Sequence, residues 1–194
     1  IVPPELRGTS EATTRQIRHA AESAVRPIRE TRMLREHAGK KEGVDWLVAN
    51  GDLALEEFDL EEVVDVLAES GLPVLVVLGN SESKGSWARA YGDRVGKYPN
   101  LVNGTWIRQI VAYDVEFWTV SGYHDKRYVH QGAGCLYKTE HVDQMQTLTP
   151  NGKAPVVLVT HGPPLGKGKS ALDWITDKKN VGDPQLNTLI QKKG

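Results

Sequence analysis

Three short apolar runs recur along the chain, and each stops at the same kind of place. Residues 44–49 lead into Asn50-Gly51-Asp52, residues 74–78 into Gly79-Asn80, and residues 156–160 into His161-Gly162-Pro163-Pro164. Runs of this length, rich in Val and Leu and without strict alternation, predict strands buried on both faces of a sheet. Between the first two, Asp59-Leu60-Glu61-Glu62 has the form of a capping box. Val63, Val64, Leu67 and Ala68 then repeat at helical spacing, and Gly71 stands in a C-cap position. Strand, helix and strand with short links predict a βαβ unit with parallel neighbours and a right-handed crossover. Equivalent strand ends in such a unit share one edge, which brings Asp52 and Asn80 together.

The remaining pattern is mixed. Ile17, Ala20, Ala21 and Val25 predict a helix from residue 10 toward His37, kinked at Pro27, with five arginines along a solvated face. Residues 86–91 read as a short helix with Trp87 and Tyr91 one turn apart. Residues 105–112 and 115–121 predict adjacent strands joined across Tyr113-Asp114, with residues 134–137 as a further strand. Residues 139–148 are weakly helical. Asp183-Pro184 opens a last helix, with Asp at the N-cap and Pro at the first position, and Leu186, Leu189 and Ile190 form its apolar face.

Composition narrows the class. With 194 residues, 39% hydrophobic and 25% charged, the chain reads as one ordinary globular domain over residues 1–194. Its formal charge of −1 gives no broad field for nucleic acid, so no nucleic-acid partner is expected. No run of about 18 apolar residues exists, so no helix should span a membrane and no membrane partner is expected. Cys135 is the lone cysteine, which excludes an internal disulfide and a thiolate zinc site and suits a reducing, cytoplasmic location.

The chemistry sits at the three strand ends. Carboxylate oxygen, amide oxygen and imidazole nitrogen are ligands for hard or borderline divalent cations. Asp52 can bridge two ions, Asn80 adds a neutral oxygen and His161 supplies nitrogen, a mixture that suits Mn, Fe, Zn or Ni better than Ca. Two ions about 3.5–4 Å apart lower the pKa of a bridging water and clamp phosphoryl oxygens. Singly, each residue has a dull explanation as a turn former or loop histidine. Together, each after a buried strand, they point to a metal site.

In this order, Gly51-Asp52, Gly79-Asn80 and His161-Gly162-Pro163-Pro164 resemble three of the five signature blocks of the calcineurin-like metallophosphoesterases, in their small single-domain branch. The resemblance implies an α/β (mixed α+β) fold, a four-layer sandwich of two mixed β-sheets flanked by helices. It also implies a two-metal centre, with Asp52 bridging and Asn80 and His161 on the second ion. The implied activity is hydrolysis of a phosphomonoester or phosphodiester by attack of a metal-bound hydroxide, with a phosphate ester as substrate.

Three departures qualify this. The family opens with Asp-x-His and closes with Gly-His-x-His; neither is present, and both are expected beyond the given residues, leaving the domain incomplete at both ends. The second block usually reads Gly-Asn-His-Asp, but here it is Gly79-Asn80-Ser81-Glu82. The family's histidine assists the leaving group as an acid, which Ser81 cannot do at neutral pH. His124, in Ser121-Gly122-Tyr123-His124-Asp125, is the candidate to fill that catalytic role; His130 and His141 have no comparable setting. Lys167 and Lys169 follow His161 and read as a solvated loop. The alternative reading is a metallophosphoesterase-like domain that serves as a binding or scaffolding module.

Overall fold

The computed structural model describes residues 44–54, 57–112, 114–129, 134–175 and 178–193. The helix expected over 10–37, the single-domain reading of 1–194 and His130 reach outside these residues. Asp45–Gly194 forms one compact unit.

The first sheet holds β1 (Leu47–Asn50), β2 (Val74–Val77) and β3 (Leu101–Asn103) in that order, all parallel. Helix α1 (Glu57–Ala68) makes the predicted crossover from β1 to β2, and α2 (Lys84–Gly92) connects β2 to β3. The second sheet holds β4 (Gln109–Ala112), β5 (Val115–Val120) and β6 (Val156–Thr160). There β4 and β5 form an antiparallel hairpin, while β6 runs parallel to β5. Helices α3 (Thr139–Thr147) and α4 (Pro184–Lys193) flank this sheet.

Strand periodicity sets the layers. Leu75 and Val77 face Ala112, Phe117 and Val159, so one core lies between the two sheets. Val74 and Val76 point the other way and are fully buried, as are the α1 residues Leu60, Val63 and Val64. On the outer face of the second sheet, Trp118 and Val120 pack on Val142 and Met145 of α3 and on Leu186 and Leu189 of α4. Each such buried side chain contributes about 1.5–3 kcal/mol relative to leaving it in water. Two sheets flanked by helices result, as the family resemblance implies.

Some boundaries differ from the pattern. Helix α1 begins two residues before Asp59, so Asp59 and Glu62 lie inside it rather than capping it. Strand β3 carries three residues only, too few for a period to stand out. Residues 105–108 form a turn instead of a strand, because the Thr119 hydroxyl binds the carbonyls of Gly104 and Ile107 and folds them over β5. Residues 134–137 make two isolated bridges, Ser83 to Gly134 and Tyr123 to Leu136, and no strand.

Parallel strands put β1, β2, β5 and β6 with their carboxyl ends on one edge. The Gly122 amide donates to the Leu78 carbonyl at 2.7 Å and joins the two sheets there.

Candidate metal centre

At that edge Gly51 and Gly79 touch. Gly51 has φ 81°, and a Cβ on it would sit 2.5 Å from the Gly79 Cα. A Cβ on Gly79 would in turn sit 2.5 Å from the Asp52 nitrogen and 2.9 Å from His161 Cε1. Both glycines are therefore needed for the strand ends to close on one another. Asp52 itself has φ 52°, a left-handed conformation that Asp tolerates better than most residues.

The three predicted ligands come together. His161 Nε2 lies 3.0 Å from Asn80 Oδ1 and 3.5 Å from Asp52 Oδ1. Each side chain is held from behind. His161 Nδ1 is 2.9 Å from the Asn50 carbonyl, which can only accept, so Nδ1 carries the proton and Nε2 is turned toward the oxygens. The Asn80 amide donates through Nδ2 to the Tyr128 carbonyl, which leaves Oδ1 for the centre. Asp52 Oδ1 accepts from the Ser81 amide at 3.2 Å.

Sequence reasoning overlooked Glu82. Its buried carboxylate accepts from the amides of Asp52, Leu53 and Ala54 after β1 and from Gly79 after β2. One side chain thus clamps both ligand-bearing loops. Burial pushes the Glu82 pKa up, the amides of Gly79 and Ala54 pull it back, and the nearby Asp52 charge pushes it up further. The signal was present in the acidic residue that ends the Gly-Asn-x-acid block. Asn50 was also missed, because Asn before Gly reads as turn chemistry alone.

No hydrogen bond or ion pair among the described residues joins His124 to this cluster. His124 stacks on Tyr123 at 4.7 Å between ring centroids and lines a separate cavity of about 440 Å³ with Tyr137, Lys138 and Asp183. Its Nδ1 is buried without a hydrogen-bond partner. His141 sits in the first turn of α3, where Nδ1 accepts from the Lys138 amide at 3.2 Å. Lys167 and Lys169 are exposed.

Do these residues fit a cation? In the neutral ring, Nε2 of His161 joins Oδ1 of Asn80 and Oδ1 of Asp52 as three electron-pair donors that a cation among them would satisfy. Among the described residues no group of three or more His, Cys, Asp or Glu is placed to hold a metal. The set fits part of a coordination sphere, with an amide oxygen as its third member.

The family model for calcineurin-like phosphoesterases matches residues 24–184. The chain belongs to the calcineurin-like phosphoesterase family. Membership carries a general reading, a metal-dependent hydrolase of phosphoric esters, in a family that uses divalent metal ions. No curated protein matches the chain. Solved structures share the fold, two of them as follows. One is 19% identical, with a TM-score of 0.63 over 82% of this chain and 73% of that one. The other is TT1561 of Thermus thermophilus, 15% identical, with a TM-score of 0.61 over 88% of this chain and 72% of that one. Among the described residues no helix is long and apolar enough to cross a membrane.

Proposed function

We propose that this family member hydrolyses a phosphomonoester or phosphodiester at a two-metal centre to which Asp52, Asn80 and His161 contribute. The observation that supports this most is the convergence of those three donors, each braced from behind by a backbone carbonyl or amide. Asp52 would bridge, and Asn80 and His161 would complete the second ion. Bound divalent ions, whether Mn, Fe, Zn or Ni, supply an activated water and neutralise the phosphoryl oxygens.

The chain's own residues do the positioning. Asn50 aims the His161 ring, the Tyr128 carbonyl orients the Asn80 amide, and Glu82 fixes the spacing between the loops of Asp52 and Asn80. Ser81 occupies the place in the Gly-Asn block where the family carries histidine, so that block supplies no imidazole. Esters with good leaving groups, which need little protonation, are the substrates that suit it.

Ser81 also favours a second reading, a domain that binds phosphate esters or a protein partner without turnover. Metal analysis of the full-length protein, with p-nitrophenyl phosphate and bis(p-nitrophenyl) phosphate assays in Mn, separates the two. Metal together with turnover supports the hydrolase. Neither metal nor turnover ends it.

A further inference from the structure

The described residues between Pro164 and Asp183 fold back on themselves beside the candidate centre. The neck of this loop is shut by the Leu165 amide on the Asp183 carbonyl at 2.8 Å and by the Asp183 amide on the Pro163 carbonyl at 3.0 Å. Asn180 Nδ2 donates to the Gly166 carbonyl at 2.9 Å, and the Val181 amide to the Asp173 carbonyl at 2.8 Å. The Tyr123 hydroxyl donates to the Asp173 carboxylate. The Tyr123 ring packs against Gly162, the residue after His161, where a Cβ would come within 2.8 Å. The loop is thereby fastened to the floor of the centre.

This loop presents two bulky apolar side chains outward. Leu172 is 70% exposed and Trp174 57% exposed. The indole is not free to fold away, because Nε1 donates to the Ala171 carbonyl at 2.7 Å and Trp174 bridges to Asn180. Lys167, Lys169, Lys178 and Lys179, each within five residues of Leu172 or Trp174 in the chain, are exposed, and no described carboxylate pairs with these lysines. Of the three aspartates in this stretch, Asp173 is committed to Tyr123, Asp183 to Tyr137, and Asp177 lies outside the described residues. Single exposed apolar residues are ordinary. Two bulky ones, fixed by the backbone of this loop and flanked along the chain by four cations, form an amphipathic patch.

We propose that Lys167, Lys169, Leu172, Trp174, Lys178 and Lys179 form a docking surface for an anionic membrane. Lysines near a negatively charged lipid surface attract it, while Trp and Leu enter the headgroup boundary, where an indole is well accommodated. Charge complementarity sets the sign of the partner. The overall charge of −1 gives no long-range attraction, so the patch must supply it. Leu172 distinguishes a membrane from a nucleic acid. Single strands bind through aromatic platforms on which successive bases stack, and the patch offers one aromatic ring and one aliphatic side chain. The expectation of no membrane partner rested on the lack of a spanning helix, which surface attachment does not need. Docking here is independent of whether the centre hydrolyses anything.

The test is co-sedimentation of the full-length protein with phosphatidylcholine vesicles made with and without phosphatidylserine. A single-stranded oligonucleotide is run in parallel. Binding should require phosphatidylserine, weaken at high salt, and fall about fivefold for each Lys→Gln change. The double variant Leu172→Ser and Trp174→Ser should lose binding about tenfold while its circular dichroism and metal content stay as in the wild type. No binding to phosphatidylserine vesicles, binding unchanged in the double variant, or retention by the oligonucleotide alone overturns the proposal.

Discussion

His161 Nε2 and Asn80 Oδ1 stand 3.0 Å apart, although 81 residues separate them in the chain. Nothing local brings them together. His161 follows β6 of the second sheet and Asn80 follows β2 of the first, so their meeting reports how the two sheets are docked. The centre is therefore sensitive to backbone shape around it as much as to its own side chains.

Gly79→Ala should show that sensitivity. The new methyl would press on the Asp52 backbone and on the His161 ring, neither of which is the far end of a flexible chain. The variant is expected to lose bound metal, read by elemental analysis of the purified protein, and to melt below the wild type. Wild-type metal content would remove the close Gly51–Gly79 contact from the account.

Glu82→Gln tests the clamp. A glutamine side chain offers one acceptor where the carboxylate offers two, and it turns an NH₂ group toward backbone donors. Leaving buried amides without a partner costs about 1–3 kcal/mol each. Residues that orient metal ligands typically change affinity about 10–100-fold. Calorimetric titration with Mn should show affinity falling in that range, together with a lower melting temperature. Loss of stability with unchanged affinity would reduce Glu82 to a packing role.

Ser81→His should help turnover if the centre is hydrolytic. The Ser81 amide, not its side chain, holds Asp52, so the substitution leaves that bond in place. A positioned imidazole acid is worth about 10²–10⁴-fold. The gain is expected on p-nitrophenyl phosphate analogues with poor leaving groups, and little of it on p-nitrophenyl phosphate itself. Equal gains on both would point away from leaving-group protonation.

Acid should spare the loop that carries Tyr128. The Arg127 side chain hydrogen-bonds Asp125 and, with the Arg127 amide and its charge, holds the Asp125 pKa down to about 2. A depressed pKa means that Asp125 adds stability above its unfolded value of about 3.9 and loses it as pH falls through about 2. A carbon NMR titration of the Asp125 carboxyl should give that midpoint. Arg127→Ala should return it toward about 3.9.

Residues 74–78 and 156–160 were legible as strands because every position but Thr160 is apolar and the runs are short and sharply bounded. Asp52, Asn80 and His161 were legible because each follows the end of such a run. Glu82 was not, since a carboxylate used against backbone amides leaves no charge partner in the sequence to notice. Strand β3 was hidden by its length, and the bend at residues 105–108 by the hydroxyl of Thr119 on the next strand but one. His124 drew notice through its Gly-containing loop, and the neighbours its ring has there, Tyr123 and Tyr137, could not be read from that loop alone. The basic loop after His161 read as solvated lysines, because neither the exposure of Leu172 and Trp174 nor the bond from Tyr123 to Asp173 is visible in one dimension.

Asn50 donates from its side chain to the Thr160 carbonyl and accepts at its own carbonyl from the His161 ring. It is the last residue of β1, and Thr160 is the last of β6. One residue therefore stitches the rim of one sheet to the rim of the other and aims a ligand in the same act. Slippage between the sheets and misalignment of the imidazole become a single event. Changes deep in the inter-sheet core, at Phe117 or Leu75, would be felt at the rim as a turned ring long before the chain unfolds.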